Sequence, residues 1–412
     1  MLDLFPITAR VDGGELTLGG VGASALAAEH GTPLLVYCEE TVRAQARAYR
    51  EAAPGALVVY GTKAFANVEL LRVLADEGIG ADVSTLGELA FARAAGLDGD
   101  RIVFHGNNKT DEELSAAADA GAIVVLDEAD EVDRAAAAGV RRVLLRLTPG
   151  IEADTHRSIQ TAHASSKFGL PLESAAVALD RARERGLELV GVHVHIGSQL
   201  ARVDESAAAV ERVVAFCEER RWRPALVDVG GGLGVRHNRD EHPPSVAEFV
   251  GPLARIVAER LPGSRLALEP GRSLVGRAGV TLYRVGATKT SGGVRWVAID
   301  GGMSDNPRPQ LYGARYEALV ANRANEPTAG SFRIAGKHCE SGDVLIDMVE
   351  LPEPRRGDVL AVPATGAYTL AMGSTYNGVP RPAVVLVRDG ASRVIRLRES
   401  EADLLRFEQS GL

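Results

Sequence analysis

The chain has 412 residues, 46 Lys plus Arg against 55 Asp plus Glu, and a formal net charge of -9. That balance argues against nucleic acid as a partner, and the length supplies more than one hydrophobic core. Apolar runs are strand-sized, well short of the roughly 20 residues of a membrane helix, so no membrane association is expected.

From the N-terminus, "MLDLFPITARVDGG" has no basic start followed by an apolar block and does not read as a secretory signal. Cys38, Cys217 and Cys339 are scattered and odd in number, which yields neither a disulfide framework nor zinc-binding spacing. No metal site is therefore expected, and a reducing cytoplasm is the simplest home. "GGELTLGG" then reads as a short strand.

A regular alternation follows. The strand-like runs are "ALVVYGTKA", "GIGADVST", "RIVFHGN", "AIVVLDE", "RVLLRLTPG", "LVGVHVHIGS", "LVDVGGG" and "LALEPGRS". Segments at helical spacing separate them, among them "NVELLRVLADE", "LGELAFARAAG", "DEELSAAADAG" and "SAAAVERVVAFCEERR". Strict β–α alternation implies parallel strands joined by helical crossovers. Eight units predict a closed (β/α)8 barrel over residues 33–275, with a doubly wound open sheet as the rival. Beyond about residue 275 the pattern changes to strands with Gly/Pro turns: "GVTLYRVGATKT", "VRWVAIDGG", "DVLIDMVELP", "GDVLAVPATGAY" and "PAVVLVRDG". The expected architecture is α/β plus β: a TIM-like barrel with a second, mostly antiparallel β domain built from 1–32 and 276–412.

A barrel places its chemistry just past the C-terminal ends of its strands. Those ends carry Lys63, Asp82, His105, Asp127, Arg146, His195 with Ser198, Gly230 to Gly232, and Glu269 with Arg272. Glycines after strand seven let backbone N–H groups approach an anion, and Arg272 adds a charge-assisted contact, so a phosphate site fits here; a tight turn is the plain alternative. Phosphate beside a strand-end lysine suggests pyridoxal 5′-phosphate (PLP). A partly desolvated Lys63 suits Schiff-base formation with an aldehyde, Glu269 suits a pyridine nitrogen, and His195 can stack on a ring. Taken singly, each has an ordinary reading: a surface Lys, a salt-bridged Glu, a satisfied core His.

These residues sit in motifs that resemble those of the fold-type III, alanine-racemase-fold PLP decarboxylases, in the branch acting on meso-2,6-diaminopimelate. The motifs are "YGTKAFAN", "RLTPGIEADTHRSIQTAHASSKFGL", "HVHIGSQL", "DVGGGLG" with "EPGRS", "GMSDNPRPQLYGARYEAL", "GKHCESGDVL" and "GAYTLAMGSTYNGVPRP". The resemblance covers nearly the whole chain. It implies Lys63 as the Schiff-base lysine and His195 as the stacking residue. It gives Ser198, Gly231, Gly232, Gly271 and Arg272 to the cofactor phosphate, Glu269 to the pyridine nitrogen, and Tyr368 to phosphate and substrate. Cys339 corresponds to the proton donor, which in that family acts across a homodimer interface in shared active sites. Arg272, Arg308, Tyr312 and Glu340 correspond to groups that bind the far end of the substrate. One departure is Gly61, where the family often has Ala, with Phe65 ahead of Ala66 and Asn67; this leaves the role of Asn67 open.

The resemblance implies release of L-lysine and CO2. Diaminopimelate has a second zwitterionic head, which needs cations for its carboxylate (Arg272, Arg308) and an anion for its ammonium (Glu340). Relatives acting on ornithine resemble C-D rather than the "CES" found here. The other readings are a same-fold decarboxylase of ornithine, arginine or carboxynorspermidine, a non-catalytic PLP-binding protein, or a phosphosugar-binding barrel. Cys38, on a strand, and Cys217, on a helix, read as small buried hydrophobes.

Overall fold

The computed structural model describes residues 1–150 and 166–408. The middle of the "RLTPGIEADTHRSIQTAHASSKFGL" motif thus lies outside the described residues. Two compact units are present, one formed by residues 43–234 and 243–274, the other by 1–42, 235–242 and 275–412.

Among the described residues, the barrel of the first unit is formed by eight parallel strands: β1 (Leu57–Gly61), β2 (Gly80–Val83), β3 (Ile102–Phe104), β4 (Ile123–Leu126), β5 (Arg142–Thr148), β6 (Glu188–His193), β7 (Leu226–Asp228) and β8 (Arg265–Leu268). Each runs beside the next, and β8 returns to β1 with Ala267 opposite Leu57, so the sheet closes into a barrel. The expected eight runs are the eight strands, and closure rules out the open sheet. A two-residue strand, Leu170–Pro171, adds to β5.

The crossover helices start on local signals. Asn67 caps the helix Val68–Asp76 by accepting from Leu70 N at 3.1 Å. Thr110 with Glu113, and Ser245 with Glu248, form capping boxes at Asp111–Asp119 and Val246–Arg260.

The barrel interior shows why the strands are apolar until they end. Val59, Val103, Ile123, Val125, Leu144, Leu226 and Ala267 form one buried cluster. Each buried aliphatic side chain of this kind contributes about 1.5–3 kcal/mol. Side chains of a strand alternate faces, so two residues further on the same inward face continues. From Val103, Val125, Leu144, Leu226 and Ala267 that step reaches His105, Asp127, Arg146, Asp228 and Glu269, all buried. The barrel is thus apolar inside and ends in an inward-facing layer of ionisable groups.

The second unit has its own sheets. A nine-stranded, mostly antiparallel sheet is built around the long strand Gly279–Ser291, which pairs antiparallel with Val294–Ile299, Val359–Pro363 and Leu34–Cys38. Two pairings are parallel, Leu34–Cys38 with Ala383–Arg388 and Val294–Ile299 with Gly330–Ala335. The expected strand in "GGELTLGG" is Glu15–Leu18, but it belongs to a separate three-stranded sheet with Arg10–Asp12 and Val21–Gly22. Cys38 lies on a strand, Cys217 in the helix Asp204–Glu219, and both are buried; burial raises the Cys217 thiol to about 12, which makes it inert.

Candidate active site at the barrel rim

The barrel unit brings the strand-end residues together. Lys63 lies in a single turn, Thr62–Ala64, directly after β1. Its Nζ donates to Asp82 Oδ2 at the end of β2, at 3.0 Å. The Lys63 side chain is 54 % exposed, so about half of it is covered, while Asp82 is 3 % exposed. A buried carboxylate, rather than an apolar pocket, holds this ammonium in place.

Glu269, just beyond β8, is held by two buried imidazoles. His105 Nε2 donates to Oε1 at 2.5 Å, and His193 Nε2 donates to Oε2 at 3.1 Å. The two imidazoles meet edge to face, with centroids 4.8 Å apart. Burial pushes the Glu269 carboxyl upward, but the two imidazoles outweigh it and hold the group well below the usual carboxylate range. Burial lowers His193 to about 4, so the ring is neutral at pH 7 with its proton on Nε2. Arg146 stacks on Phe168 at 4.5 Å and pairs with Asp127 at 3.5 Å.

The glycine loop after β7 is shaped by close approach. Gly231 N donates to His195 Nδ1 at 3.1 Å. A Cβ on Gly230 would meet that Nδ1 at 2.7 Å, on Gly231 the Glu269 carbonyl oxygen at 2.2 Å, and on Gly232 the Gly197 oxygen at 2.5 Å. Only glycine fits such spacings, so the loop is a cradle held against β8 rather than a turn that could take other residues. Burial and the nearby Lys63 and Arg146 charges press His195 well below its ordinary value, leaving a neutral ring. Arg272 Nη2 donates to Ser198 Oγ at 3.3 Å, and Gly271 Cα lies 3.5 Å from where a Gly61 Cβ would be. Lys63, His195, Ser198, Gly231, Gly232, Glu269, Gly271 and Arg272 therefore line one rim. At Gly61 the nearest atom to an added Cβ is 3.4 Å away, so the alanine common in the family would fit. Asn67, whose role was open, is a helix cap.

The second unit carries the other candidates. Arg308 is 4 % exposed, donates to the Tyr316 hydroxyl, and has Nε without a hydrogen-bond partner. The Tyr312 hydroxyl lies 3.8 Å from Met372 Sδ. Tyr368 adopts φ 58°, a left-handed conformation that costs a tyrosine about 1 kcal/mol or more. Cys339 and Glu340 are exposed, Cys339 N donates to Asn377 Oδ1 at 2.9 Å, and Glu340 Oε1 accepts from Gly342 N at 3.4 Å. The Cys339 loop is pinned from within: Asp343 accepts from His338 N at 3.0 Å, His338 Nδ1 at 2.7 Å and Met303 N at 2.7 Å.

Sequence reasoning missed His193 and Asp228 and assigned His105 no partner. The signal was present as the two-residue step along β3, β6 and β7 from core positions to inward-facing polar ones.

The rim fits the phosphate, ring and aldehyde of PLP. It has a glycine cradle with Arg272 and Ser198, a neutral His195, an ionised carboxylate on rigid donors, and an ion-paired lysine on the next strand. Comparison with known proteins agrees. The family model "Pyridoxal-dependent decarboxylase, pyridoxal binding domain" matches residues 39–276. The diaminopimelate decarboxylase of Actinosynnema pretiosum subsp. auranticum is 46% identical, over 98% of this chain and 95% of that one. That of Bacillus subtilis is 42% identical over 96% and 95%. The crystal structure of diaminopimelate decarboxylase from M. jannaschii in complex with L-lysine superposes with a TM-score of 0.92 at 33% identity, covering 98% of each chain. The chain belongs to the pyridoxal-dependent decarboxylases, in the diaminopimelate decarboxylase family.

Proposed function

We infer that this chain uses PLP to remove one carboxylate of meso-2,6-diaminopimelate, giving L-lysine and CO2 as the closing step of lysine biosynthesis. The observation that carries the reading is the rim array, Lys63 on Asp82 beside Glu269 clamped by two histidines, in a chain that aligns end to end with diaminopimelate decarboxylases. Bound there, PLP supplies an electron-withdrawing ring for the carbanion left by the departing carboxyl.

The chain's own residues divide the remaining work. Lys63 would hold the aldehyde end of the cofactor. His195, a neutral imidazole, would pack against the ring, and Glu269, as an anion, would face the ring nitrogen and favour its protonated form. Ser198, Gly231, Gly232, Gly271, Arg272 and Tyr368 take the phosphate. Arg272, Arg308, Tyr312, Glu340 and Tyr368 take the distal amino-acid head: the guanidinium groups for its carboxylate, Glu340 for its ammonium. Cys339 returns a proton to Cα. Residues 43–234 and 243–274 form the PLP-binding unit; the expected boundary at residue 33 shifts because Leu34–Cys38 pairs with strands of the β unit, which comprises 1–42, 235–242 and 275–412. The enzyme works as a cytoplasmic homodimer with shared active sites.

The test is CO2 release and product identity with meso-diaminopimelate, ornithine, arginine and carboxynorspermidine offered in parallel to the PLP-loaded protein. Lysine formed from diaminopimelate at a kcat/KM at least 10²-fold above the others, on the order expected when a site built for a polar head rejects analogues lacking it, is the expected outcome. Preference for another amino acid overturns the assignment.

A further inference from the structure

Asp228 closes β7 and is fully buried. Its Oδ1 accepts from Gly230 N at 2.8 Å, at the start of the glycine cradle. Its Oδ2 has no donor against it among the described residues. In the β7–β8 register Asp228 lies opposite Ala267, two residues before Glu269 on the same inward face, and Glu269 N donates to Gly230 O at 2.8 Å, so the two buried carboxyls are neighbours. The Glu269 oxygens accept from His105 and His193. Two ionised carboxylates in contact inside a barrel are untenable, and a contact between two acceptors becomes a hydrogen bond only when one of them carries a proton.

The two residues have unequal claims to that proton. Glu269 has two imidazole N–H donors, which stabilise its anion; Asp228 has one backbone N–H and no cation. Burial, then the Glu269 charge, pushes the Asp228 carboxyl well above its ordinary value, with Asp82 adding in the same direction. A proton on Asp228 Oδ2, donated to Glu269, gives the orphaned oxygen a partner and Glu269 a third donor.

We propose that Asp228 is a positioning residue that remains a neutral carboxylic acid and donates to Glu269, completing with His105 and His193 a three-donor clamp that keeps Glu269 ionised. A carboxylate so stabilised does not take the proton from a ring nitrogen placed against it, so the ring stays cationic. The inference deepens the reading of Glu269 as the ring-nitrogen partner and rests on it for its catalytic consequence; the protonation of Asp228 stands apart from that reading.

The experiment has an arm for each part. In the cofactor-free protein, Asp228→Asn keeps a neutral donor in the same shape. An acid whose folded value is raised loses stability as pH rises above its unfolded value. The wild type carries that loss and Asp228→Asn does not, so the variant's Tm relative to wild type should climb steadily from pH 5 to pH 8. The other charges around the pair, Glu269, Asp82, His105, His193 and Arg146, are common to both proteins and cancel in the difference. A Tm difference that stays constant with pH refutes the neutral acid.

In the PLP-loaded enzyme, Asp228→Ala should lower kcat roughly ten-fold or more, the worth of one hydrogen bond to a charged group, with substrate KM unchanged, and Asp228→Asn should restore kcat to within about two-fold. Wild-type kcat in Asp228→Ala refutes the clamp. If Asp228→Ala does not fold, kcat in Asp228→Asn decides alone, because a residue needed as a charge would lose activity there. Glu269→Gln is the control for the underlying reading: unchanged kcat in that variant refutes the ring-nitrogen role and with it the catalytic consequence, while the pH arm still decides the protonation of Asp228.

Discussion

The glycine cradle can be tested with a matched pair of single-methyl insertions. A Cβ on Gly231 would sit 2.2 Å from the Glu269 carbonyl oxygen and 3.0 Å from its carbon, both backbone atoms at the end of β8. Ordinary contact is about 3.4 Å, so Gly231→Ala requires roughly 1 Å of separation between the loops after β7 and β8, with no flexible side chain to give way. Overpacking of this kind costs about 1–3 kcal/mol. The displaced elements carry the Gly231 N–H bonded to His195 and the Glu269 carboxylate bonded to His105 and His193. The cost therefore falls on the conformation that grips the cofactor, and PLP affinity should drop roughly 5- to 150-fold. Gly61→Ala is the companion: its added Cβ meets Asp82 Oδ2 at 3.4 Å and Lys63 Nζ at 3.7 Å, ordinary contacts, so affinity should stay within about two-fold of wild type. The assay is titration of the cofactor-free variants with PLP, followed by fluorescence and by Tm. Wild-type affinity in Gly231→Ala, or equal losses in the two variants, would refute the reasoning.

Lys63→Ala should leave no cofactor that borohydride fixes to the protein and should abolish turnover; retained covalent labelling would move the attachment elsewhere. Cys339→Ala should bind PLP normally yet turn over roughly 10²- to 10⁴-fold more slowly, the range for a positioned proton donor, and full activity would remove that role. Arg308→Met removes a charge-assisted contact worth about 1.5–3 kcal/mol, so KM for diaminopimelate should rise roughly 10- to 150-fold; an unchanged KM would show that Arg308 serves the packing of Tyr316 instead. In the second unit, burial raises Asp305 from 3.8 to about 7. Between those values the unfolded chain has released the proton and the folded chain has not, so stability falls as pH rises through this window, by at most about 4 kcal/mol. Asp305→Asn should flatten that slope in urea unfolding series at pH 4.5 and 7.5, and an identical slope would refute the raised value.

Much of this protein was written locally in its sequence. A strand announces itself over four to seven residues and a helix by its cap and apolar stripe; accordingly Val58 to Gly61, the Thr110–Glu113 box and the eight strand runs were legible before any coordinates. The lysine after β1 and the glycines after β7 were legible for the same reason, since residue type at a strand end already states what chemistry can occur there. Pairing partners are another matter, because they are set by contacts between segments far apart in the chain. That Leu57 faces Ala267, that Leu34–Cys38 joins strands 279–291 and 383–388, and that His105 and His193 both reach Glu269 follow only from how the sheets close. Charge states were also decided there. Lys63, an amine paired with a buried carboxylate, is an ordinary letter in the sequence, as is Asp228, and only the dielectric and the neighbours around Asp228 push its carboxyl well above its ordinary value.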